Sequence, residues 1–298
     1  MNNIWGENIK APIFKSLDKD ISTDVLIIGG GMCGLLCSYM LSSAGIDNVV
    51  VEKNGICSGI SGDTTAKITV QHGFIYSYLC EKFGFDTAYA YYKANLDALE
   101  FYKKICSDIE CDFEIKDAYA YSTEDRDAIR KEIDALKKFG CDAFYSKCER
   151  LPFETVGGVQ ISGQAQFNPL KFAFKISENL SIYENTDVTE LKDGYALSNG
   201  HKIKSEKIIV ATHFPFINKH GAYFLKMYQY RSYVLAIKNA TDIGGMYIDG
   251  NGGISLKNYK DYIFIGGSGH RTGKGGCGWD DLFNFAKKYF PGSYEAYR

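Results

Sequence analysis

A run of glycines between two short apolar segments is the feature that most constrains the fold. Residues 25–28 (Val-Leu-Ile-Ile) predict a fully buried strand, and residues 49–51 (three valines) predict a second one. The stretch between them begins with GGGMCG at residues 29–34 and continues with apolar residues at helical spacing. Strand, glycine-rich turn, helix and strand together predict a βαβ unit. Such a unit opens the doubly wound folds that bind dinucleotides.

The GGGMCG segment fits the pattern G-x-G-x-x-G. Gly29 and Gly31 allow a tight turn and the close approach of a pyrophosphate, and Gly34 lets the helix pack against the strand. Glu52 follows the second strand, where a carboxylate binds ribose hydroxyls and disfavours the 2′-phosphate of NADP. We therefore predict a dinucleotide site, and the alternative is a glycine-rich turn without a ligand. The predicted residues are Gly29, Gly30, Gly31, Met32, Cys33, Gly34 and Glu52.

Apolar spacing and capping residues predict three further helices. Residues 85–105 carry an apolar stripe typical of one long amphipathic helix. Residues 124–139 predict a second helix, with Ser122 or Thr123 as its N-cap. The pair Asn-Pro at 168–169 predicts the start of a third.

Short strands are predicted for the rest of the chain. Asp-Gly at 193–194 and Asn-Gly at 199–200 are typical hairpin turns and predict an antiparallel meander. It leads into a strand that we expect to be buried at residues 207–211. Later apolar segments predict more strands, antiparallel because no crossover helix separates them. These lie at residues 230–238, 253–257 and 262–265.

Composition excludes several classes of function. The net charge is −2 and the basic residues are interspersed with acids, so nucleic acid is not an expected partner. Nine cysteines contain no C-x-x-C, and the five histidines are not spaced as ligands, so no metal site is predicted. No leader and no apolar segment long enough to span a bilayer is present. We therefore expect reduced thiols, a cytoplasmic location and no membrane contact.

The segment after Glu52 favours FAD over NAD. Residues 58–67 (SGISGDTTAK) are small and hydroxylated, whereas an NAD-binding domain would have an amphipathic crossover helix there. Residues 208–213 (IIVATH) form an apolar strand that ends in Ala-Thr. The order of fingerprint, Glu52-Lys53, hydroxylated loop, meander and Ala-Thr strand is similar to the D-amino-acid oxidase/glycine oxidase (DAO) family of FAD-dependent oxidoreductases.

This resemblance extends over nearly the whole chain and implies a flavoprotein. It adds to the expected FAD-binding residues Lys53, Ser58, Gly59, Ser61, Thr64, Thr65, Ala66, Lys67, Val188, Ala211, Thr212 and His213. Residues 64–67, 71–73, 228–233 and 266–273 look like the bacterial branch whose members often carry a C-terminal Rieske domain. This chain has no Rieske C-x-H pair. It ends at residues 297–298, where the family usually continues into a strand and a glycine-rich loop, so we expect that end of the FAD domain to be missing.

Four side chains are candidates for catalysis. Lys67 could hold negative charge on the reduced flavin or on a substrate carboxylate, or it is a solvent-facing loop lysine. His72 follows the same loop and is otherwise a capping or core histidine. Arg231 lies in an aromatic strand and is a candidate carboxylate anchor, unless it lies on an exposed strand face. His270 lies in a glycine-rich loop after a strand, where functional groups are often presented. We predict that Arg231 and His270 face one cavity beside the flavin ring.

These observations predict an α/β protein with two interleaved domains. A Rossmann-like FAD domain of the glutathione-reductase type is expected at residues 1–84 and 152–214, and an antiparallel-sheet α+β substrate domain at 85–151 and 215–298. The predicted function is oxidation of a CH-NH or CH-NH2 group in a small amine or amino acid, with hydride transfer to FAD. The electron acceptor is dioxygen or a redox protein. The alternatives are a flavin-binding module with little turnover and an NAD-dependent dehydrogenase.

Overall fold

The computed structural model describes residues 4–217, 222–275 and 278–298. The chain forms two compact units. Unit 1 comprises Met1–Thr64 and Asn168–Gln229, and unit 2 comprises Thr65–Phe167 and Tyr230–Arg298. Each unit draws on two separate stretches of the chain, which passes from one unit to the other after residues 64, 167 and 229.

Unit 1 contains a six-stranded sheet, with strands numbered along the whole chain. They are β1 (Ile21–Ile28), β2 (Asn48–Val51), β7 (Ile182–Tyr183), β8 (Val188–Lys192), β9 (Tyr195–Ser198) and β10 (His201–Val210). Their order is β7-β2-β1-β10-β9-β8. The first four are parallel, and β10, β9 and β8 form the predicted antiparallel meander. The parallel part places the ends of β1, β2 and β10 side by side.

Among the described residues of this unit, two helices have nine residues or more, α1 (Met32–Ser43) and α5 (Pro169–Ser177). Shorter turns are α6 (Tyr223–Lys226) and 3-10 helices at Ile4–Gly6 and Ile60–Gly62. The core includes Leu26, Ile28, Val49, Val51 and Ile203. One expectation was wrong. No residue from 207 to 211 is buried: Lys207 and Val210 are exposed, the other three are half-buried, and Val210 borders a cavity.

Unit 2 contains a nine-stranded sheet. Its strands are β3 (Lys67–Ile68), β4 (Glu114–Ser122), β5 (Ala143–Ser146), β6 (Gly157–Gln166), β11 (Tyr230–Lys238), β12 (Met246–Asp249), β13 (Ser255–Tyr259), β14 (Tyr262–Arg271) and β15 (Tyr294–Tyr297). The order is β15-β11-β14-β13-β12-β4-β6-β3, and β5 also pairs with β6. The predicted antiparallel pairing holds for β11–β14 and β13–β14, whereas β12 pairs with β4 in parallel. The sheet is therefore mixed.

The part of unit 2 that the structure describes contains four helices: α2 (Ile75–Phe83), α3 (Phe85–Cys106), α4 (Arg126–Lys138) and α7 (Trp279–Tyr289). The N-cap of α4 is neither Ser122 nor Thr123. Asp125 accepts a hydrogen bond from the Ala128 amide at 2.8 Å, while the Ser122 hydroxyl accepts from two amides of the preceding turn. A carboxylate directly before the helix reaches the first-turn amides better than a residue three positions earlier.

The chain enters unit 2 earlier than predicted because of β3 and α2. β3 pairs with β6 within the nine-stranded sheet, and α2 packs on α3 and α4. Residues 65–84 therefore belong to unit 2 and not to the nucleotide-binding unit. β6 likewise keeps residues 157–166 in unit 2.

Candidate nucleotide-binding site

The glycine-rich turn joins β1 to α1, and backbone atoms lie so close to two of its glycines that a side chain has no room there. Gly29 has a φ of +112°, and a Cβ there would lie 2.5 Å from the carbonyl oxygen of Ala211. A Cβ on Gly34 would lie only 1.9 Å from the carbonyl oxygen of Gly29. No side chain fits at these distances, so both positions need glycine. The tight turn and the close helix–strand contact expected from the motif are present.

The N-terminus of α1 follows this turn directly. Gly31 is its N-cap, and the amide of Met32 donates to the Ser61 hydroxyl at 2.9 Å. The first turn of α1, all of which is described, carries no acidic residue. Unpaired N–H groups and the helix dipole make such a terminus favourable for an anion. The terminus is suited to a pyrophosphate.

Glu52 lies at the end of β2 beside the turn. Its Oε2 accepts from the Gly30 amide at 2.7 Å, and its Oε1 accepts from the Asn54 amide at 2.8 Å. These two bonds fix the carboxylate in position. Each oxygen keeps a second lone pair, which can accept from a ribose hydroxyl.

A cavity of about 860 Å³ lies at this end of the parallel strands. Ligand pockets are usually about 300–1,000 Å³, and open α/β sheets bind ligands at the carboxyl ends of their strands. Thirteen residues expected to bind the cofactor line it: Gly29, Gly31, Met32, Cys33, Glu52, Lys53, Ser58, Gly59, Ser61, Val188, Ala211, Thr212 and His213. Gly30 and Gly34 act through the backbone contacts described above. Segments far apart in sequence therefore meet at one cavity.

Sequence reasoning missed several lining residues. Asn54, Cys57, Asp187 and Phe216 also border the cavity. The Cys57 thiol lies 3.8 Å from the Gly30 carbonyl oxygen, and burial, with Glu52 nearby, raises its pKa to about 12. These residues are close in sequence to predicted ones. This was the only signal for them, since a loop that contacts the fingerprint also places the residues beside it near the cavity.

Residues 64–67 are not among those that line this cavity. The Thr64 carbonyl accepts from the Trp5 indole at 2.8 Å in unit 1, while Thr65, buried Ala66 and Lys67 begin unit 2. Lys67 is half-buried on β3, and its Nζ donates to the Tyr247 carbonyl at 3.0 Å. Burial lowers its pKa to about 8. Lys67 is therefore not a solvent-facing loop lysine, and its contact with the flavin stays a prediction.

His72 borders a smaller cavity, of about 350 Å³, within unit 2. Its Nδ1 lies 3.1 Å from the Tyr91 hydroxyl, and burial lowers the pKa of the imidazole. Phe74, Tyr78 and Asp249 line the same cavity. The histidine thus has phenolic neighbours, and its role in catalysis stays a prediction.

Arg231 and His270 are brought together, as direct cross-strand partners on β11 and β14. His270 does not lie in a loop after the strand, as expected, because β14 continues to Arg271. The register shifts beside them, between Arg231 and Tyr233, and Ser268 has a φ of +50°. Such bulges redirect side chains and are common near active sites. The His270 ring lies 5.7 Å from the ring of buried Tyr233, whereas Arg231 is exposed. The pair is adjacent, and its position relative to a flavin stays a prediction.

The residues at the larger cavity fit the adenosine diphosphate half of FAD. A helix N-terminus suits the pyrophosphate, an oriented carboxylate suits the ribose, and the turn is closed to any side chain. Across residues 4–217, 222–275 and 278–298, no group of three or more His, Cys, Asp or Glu side chains could hold a metal ion. In the same ranges, no helix is long and apolar enough to cross a membrane.

Two curated proteins give the sequence relationship. A protein of Bacillus subtilis (strain 168) named for a Rieske 2Fe-2S cluster, YhfW, is 34% identical over 291 residues, which cover 91% of this chain and 57% of that protein. The gamma-glutamylputrescine oxidoreductase of Escherichia coli (strain K12) is 33% identical over 75 residues, which cover 25% of this chain and 18% of that protein. The chain thus spans little more than half the length of the Bacillus relative.

Solved structures share the fold at low identity. L-proline dehydrogenase from P. horikoshii superimposes with a TM-score of 0.74 at 18% identity, over 93% of this chain and 80% of that one. Glycine oxidase from Geobacillus kaustophilus gives 0.68 at 15% identity, over 93% and 81%. The family model for FAD dependent oxidoreductases (DAO) matches residues 24–297. Fingerprint, cavity, fold and family match agree, and this chain belongs to the FAD-dependent oxidoreductases of the DAO family.

Proposed function

We propose that this chain oxidises a small amine or amino acid at the carbon next to the nitrogen. The observation that carries the proposal is the pair of Arg231 and His270 at a β-bulge, in a chain of a family that binds FAD. FAD, when bound, accepts the hydride from that carbon. Fold neighbours named for L-proline, glycine and L-amino acids support the choice of substrate class.

Unit 1 would hold the cofactor through its backbone. The amides at the start of α1 would bind the pyrophosphate, and Glu52 would accept hydrogen bonds from the ribose. Neither group takes part in proton or hydride transfer. Their role is binding and orientation.

Unit 2 would orient the substrate. The Arg231 guanidinium can bind a carboxylate through two parallel hydrogen bonds, which fixes orientation as well as affinity. His270, opposite it, can hold a proton near the same carboxylated amine. Tyr233, buried against the His270 ring, would keep the imidazole in position.

The first experiment is the visible spectrum of the purified protein, followed by anaerobic mixing with a panel of amines and amino acids. A flavin spectrum that bleaches with members of the panel supports the proposal. A flavin spectrum that no amine bleaches would contradict it and favour a binding module without turnover. Reoxidation of the bleached protein by air then tests dioxygen as electron acceptor.

The anchor role of Arg231 is tested with Arg231→Leu. The variant should reduce the rate of flavin bleaching by carboxylated substrates about 100-fold, because one bidentate charged contact is lost, and should affect amines without a carboxylate much less. Arg130→Leu is the control, since Arg130 is an exposed arginine on α4 of unit 2. Equal loss with both classes of substrate would remove Arg231 from this role.

A further inference from the structure

A group of exposed aromatic side chains lies where α2 meets α3 in unit 2. Phe83 and Phe85 flank Gly84, the residue between the two helices, and are 53% and 47% exposed. Tyr89, one turn further along α3, stacks on Phe85 with ring centres 5.8 Å apart, and the ring of Tyr78 lies 6.5 Å from that of Phe83. Both tyrosines are exposed as well. We call these four side chains the aromatic patch.

The aromatic patch is large for a surface in contact with water. A phenylalanine or tyrosine side chain buries about 150–250 Å² when it is enclosed. Because about half of each side chain is exposed, the four together leave roughly 400 Å² of aromatic surface in solvent. Patches of this size on soluble proteins are often binding sites. Each partner in a stable protein–protein interface buries about 800 Å², so the patch supplies about half of such a contact.

The inner side of the aromatic patch is already packed within unit 2. Tyr92 and Leu99 belong to the buried stripe of α3. The ring of buried Phe139 lies 5.4 Å from that of Phe85 and 5.9 Å from that of Tyr89. A partner therefore meets rings that are already held in place, and little further side-chain entropy is lost when it binds.

The charges beside the patch follow a pattern that fits a second copy of α3. Asp86 and Lys93 are exposed and seven residues apart, which is about two helical turns, so both lie on the side of the helix that carries Tyr89. Lys93 forms an ion pair with Asp97, one turn further on. Acid, aromatic ring and base thus follow one another along one exposed face.

A two-fold axis pairs residues that lie at equal distances on either side of it. With two α3 helices antiparallel and the axis between residues 89 and 90, Asp86 lies opposite the partner's Lys93. Lys93 in turn lies opposite the partner's Asp86, and the two Tyr89 rings meet at the centre. The contact then has an aromatic centre and a charged rim, which is the usual arrangement of a protein–protein interface.

We propose that this chain forms a two-fold symmetric dimer through the aromatic patch, with α3 packed antiparallel against α3 of the second copy. Charge complementarity selects a second copy as the occupant, because the acid and the base of one helix face the base and the acid of the same helix reversed. The dimer uses a surface of unit 2 that contains neither Arg231 nor His270. The inference therefore goes beyond the proposed function and does not depend on it.

The test measures the mass of the FAD-loaded full chain by light scattering and its dissociation constant by sedimentation equilibrium. The wild-type protein should have twice the chain mass of 33.3 kDa. Asp86→Lys should weaken association about 30-fold, because the axis turns two attractive pairs into two repulsive ones. Lys93→Asp should weaken it by a similar factor for the same reason.

The double variant Asp86→Lys/Lys93→Asp identifies the contact. It carries the intrachain disturbance of both single variants, yet it restores opposite charges across the axis. Its dissociation constant should therefore return to within about threefold of the wild-type value. Asp127→Lys is the control, because Asp127, like Asp86, is an exposed acid in the first turn of a helix, and it should leave the dimer unchanged.

Tyr89→Glu tests the centre of the interface, since it brings two like charges together at the axis and should give single chains at every concentration measured. The inference is overturned if the wild-type mass is that of one chain, or if the double variant associates as weakly as the single variants. It is also overturned if Asp127→Lys dissociates as they do, or if Tyr89→Glu remains a dimer. Circular dichroism of each variant confirms that it is folded before its mass is measured.

Discussion

The candidate sites of the two units differ in the groups that form them: mainly backbone groups in unit 1 and side chains in unit 2. In unit 1 the nucleotide site is made largely by the backbone, from a glycine turn, a helix N-terminus and one carboxylate held by two amides. In unit 2 the candidate groups are side chains, and all of them except His72 lie on strands that pair with a distant segment. A backbone site tolerates few substitutions at the turn itself. A side-chain site can change its ligand by single substitutions that leave the sheet intact.

The largest expected effect concerns the backbone site. Gly34→Ala would place a methyl group about where the Gly29 carbonyl oxygen lies, at 1.9 Å, and should lower the free energy of unfolding by about 3 kcal/mol or more. Gly55→Ala is the control, because its Cβ would meet only Glu184 Oε1 at 3.5 Å. Thermal melts of both proteins check the prediction. A Gly34→Ala protein as stable as the control would mean that the turn can relax.

The fingerprint was predictable because the residues that determine its structure are close together in the sequence. Gly29, Gly34 and Glu52 lie within one βαβ unit, and a hydrophobic run beside a glycine motif is enough to place them. Cys57 and Asp187 were missed because their presence at the cavity depends on loop paths, and no periodic pattern encodes a loop path.

Unit 2 was harder to predict because its strands pair with segments that are far away in the sequence. β4 begins with charged residues and shows no clear apolar alternation. It pairs in parallel with β12, more than a hundred residues later, and nothing in either sequence indicates this partner. The pairing of Lys67 with Gln166 likewise follows from a two-residue strand at a sheet edge. This strand places residues 67 and 68 in unit 2, whereas the boundary was expected at residue 84. Arg231 was singled out by its aromatic strand and His270 by the glycine-rich segment around it, and their adjacency follows only from register.

Removing the Glu52 carboxylate tests how far FAD binding at the candidate nucleotide site depends on a side chain. Glu52→Ala removes the acceptor of the Gly30 and Asn54 amides and the proposed acceptor of the ribose hydroxyls, and should weaken FAD binding by about 1–3 kcal/mol. Dissociation of FAD, followed by flavin fluorescence, gives the affinity. The Glu184→Ala variant controls for loss of a carboxylate bonded to backbone amides elsewhere in unit 1. Undiminished affinity in Glu52→Ala would show that the backbone alone binds the dinucleotide.

In unit 2, replacing Lys257 is expected to stabilise the fold, in contrast to the losses predicted for unit 1. Replacing this fully buried lysine by methionine removes a group whose charged form burial disfavours, so Lys257→Met should raise the free energy of unfolding by about 1–2 kcal/mol. Denaturant titration at pH 7 checks it. A destabilised Lys257→Met protein would instead indicate that the ammonium supports the sheet.

The smallest expected effect is the pH dependence contributed by Lys67. In the unfolded chain this lysine keeps its proton up to about pH 10.5, whereas in the folded chain burial lowers its pKa to about 8. Unfolding therefore takes up a proton between these values, and the free energy of unfolding rises with pH in that interval because of Lys67. Below pH 8 the lysine is charged in both states, and its contribution no longer varies.

Lys67→Met should remove this rise, by at most about 1 kcal/mol, because a half-buried ammonium is partly screened by solvent. Denaturant titrations of the wild-type and variant proteins at pH 7, 8, 9 and 10 give the difference directly. Lys147→Met, at a lysine whose side chain is 76% exposed, should run parallel to the wild type. If Lys67→Met also ran parallel, the Lys67 ammonium would be as well hydrated in the folded chain as in the unfolded chain.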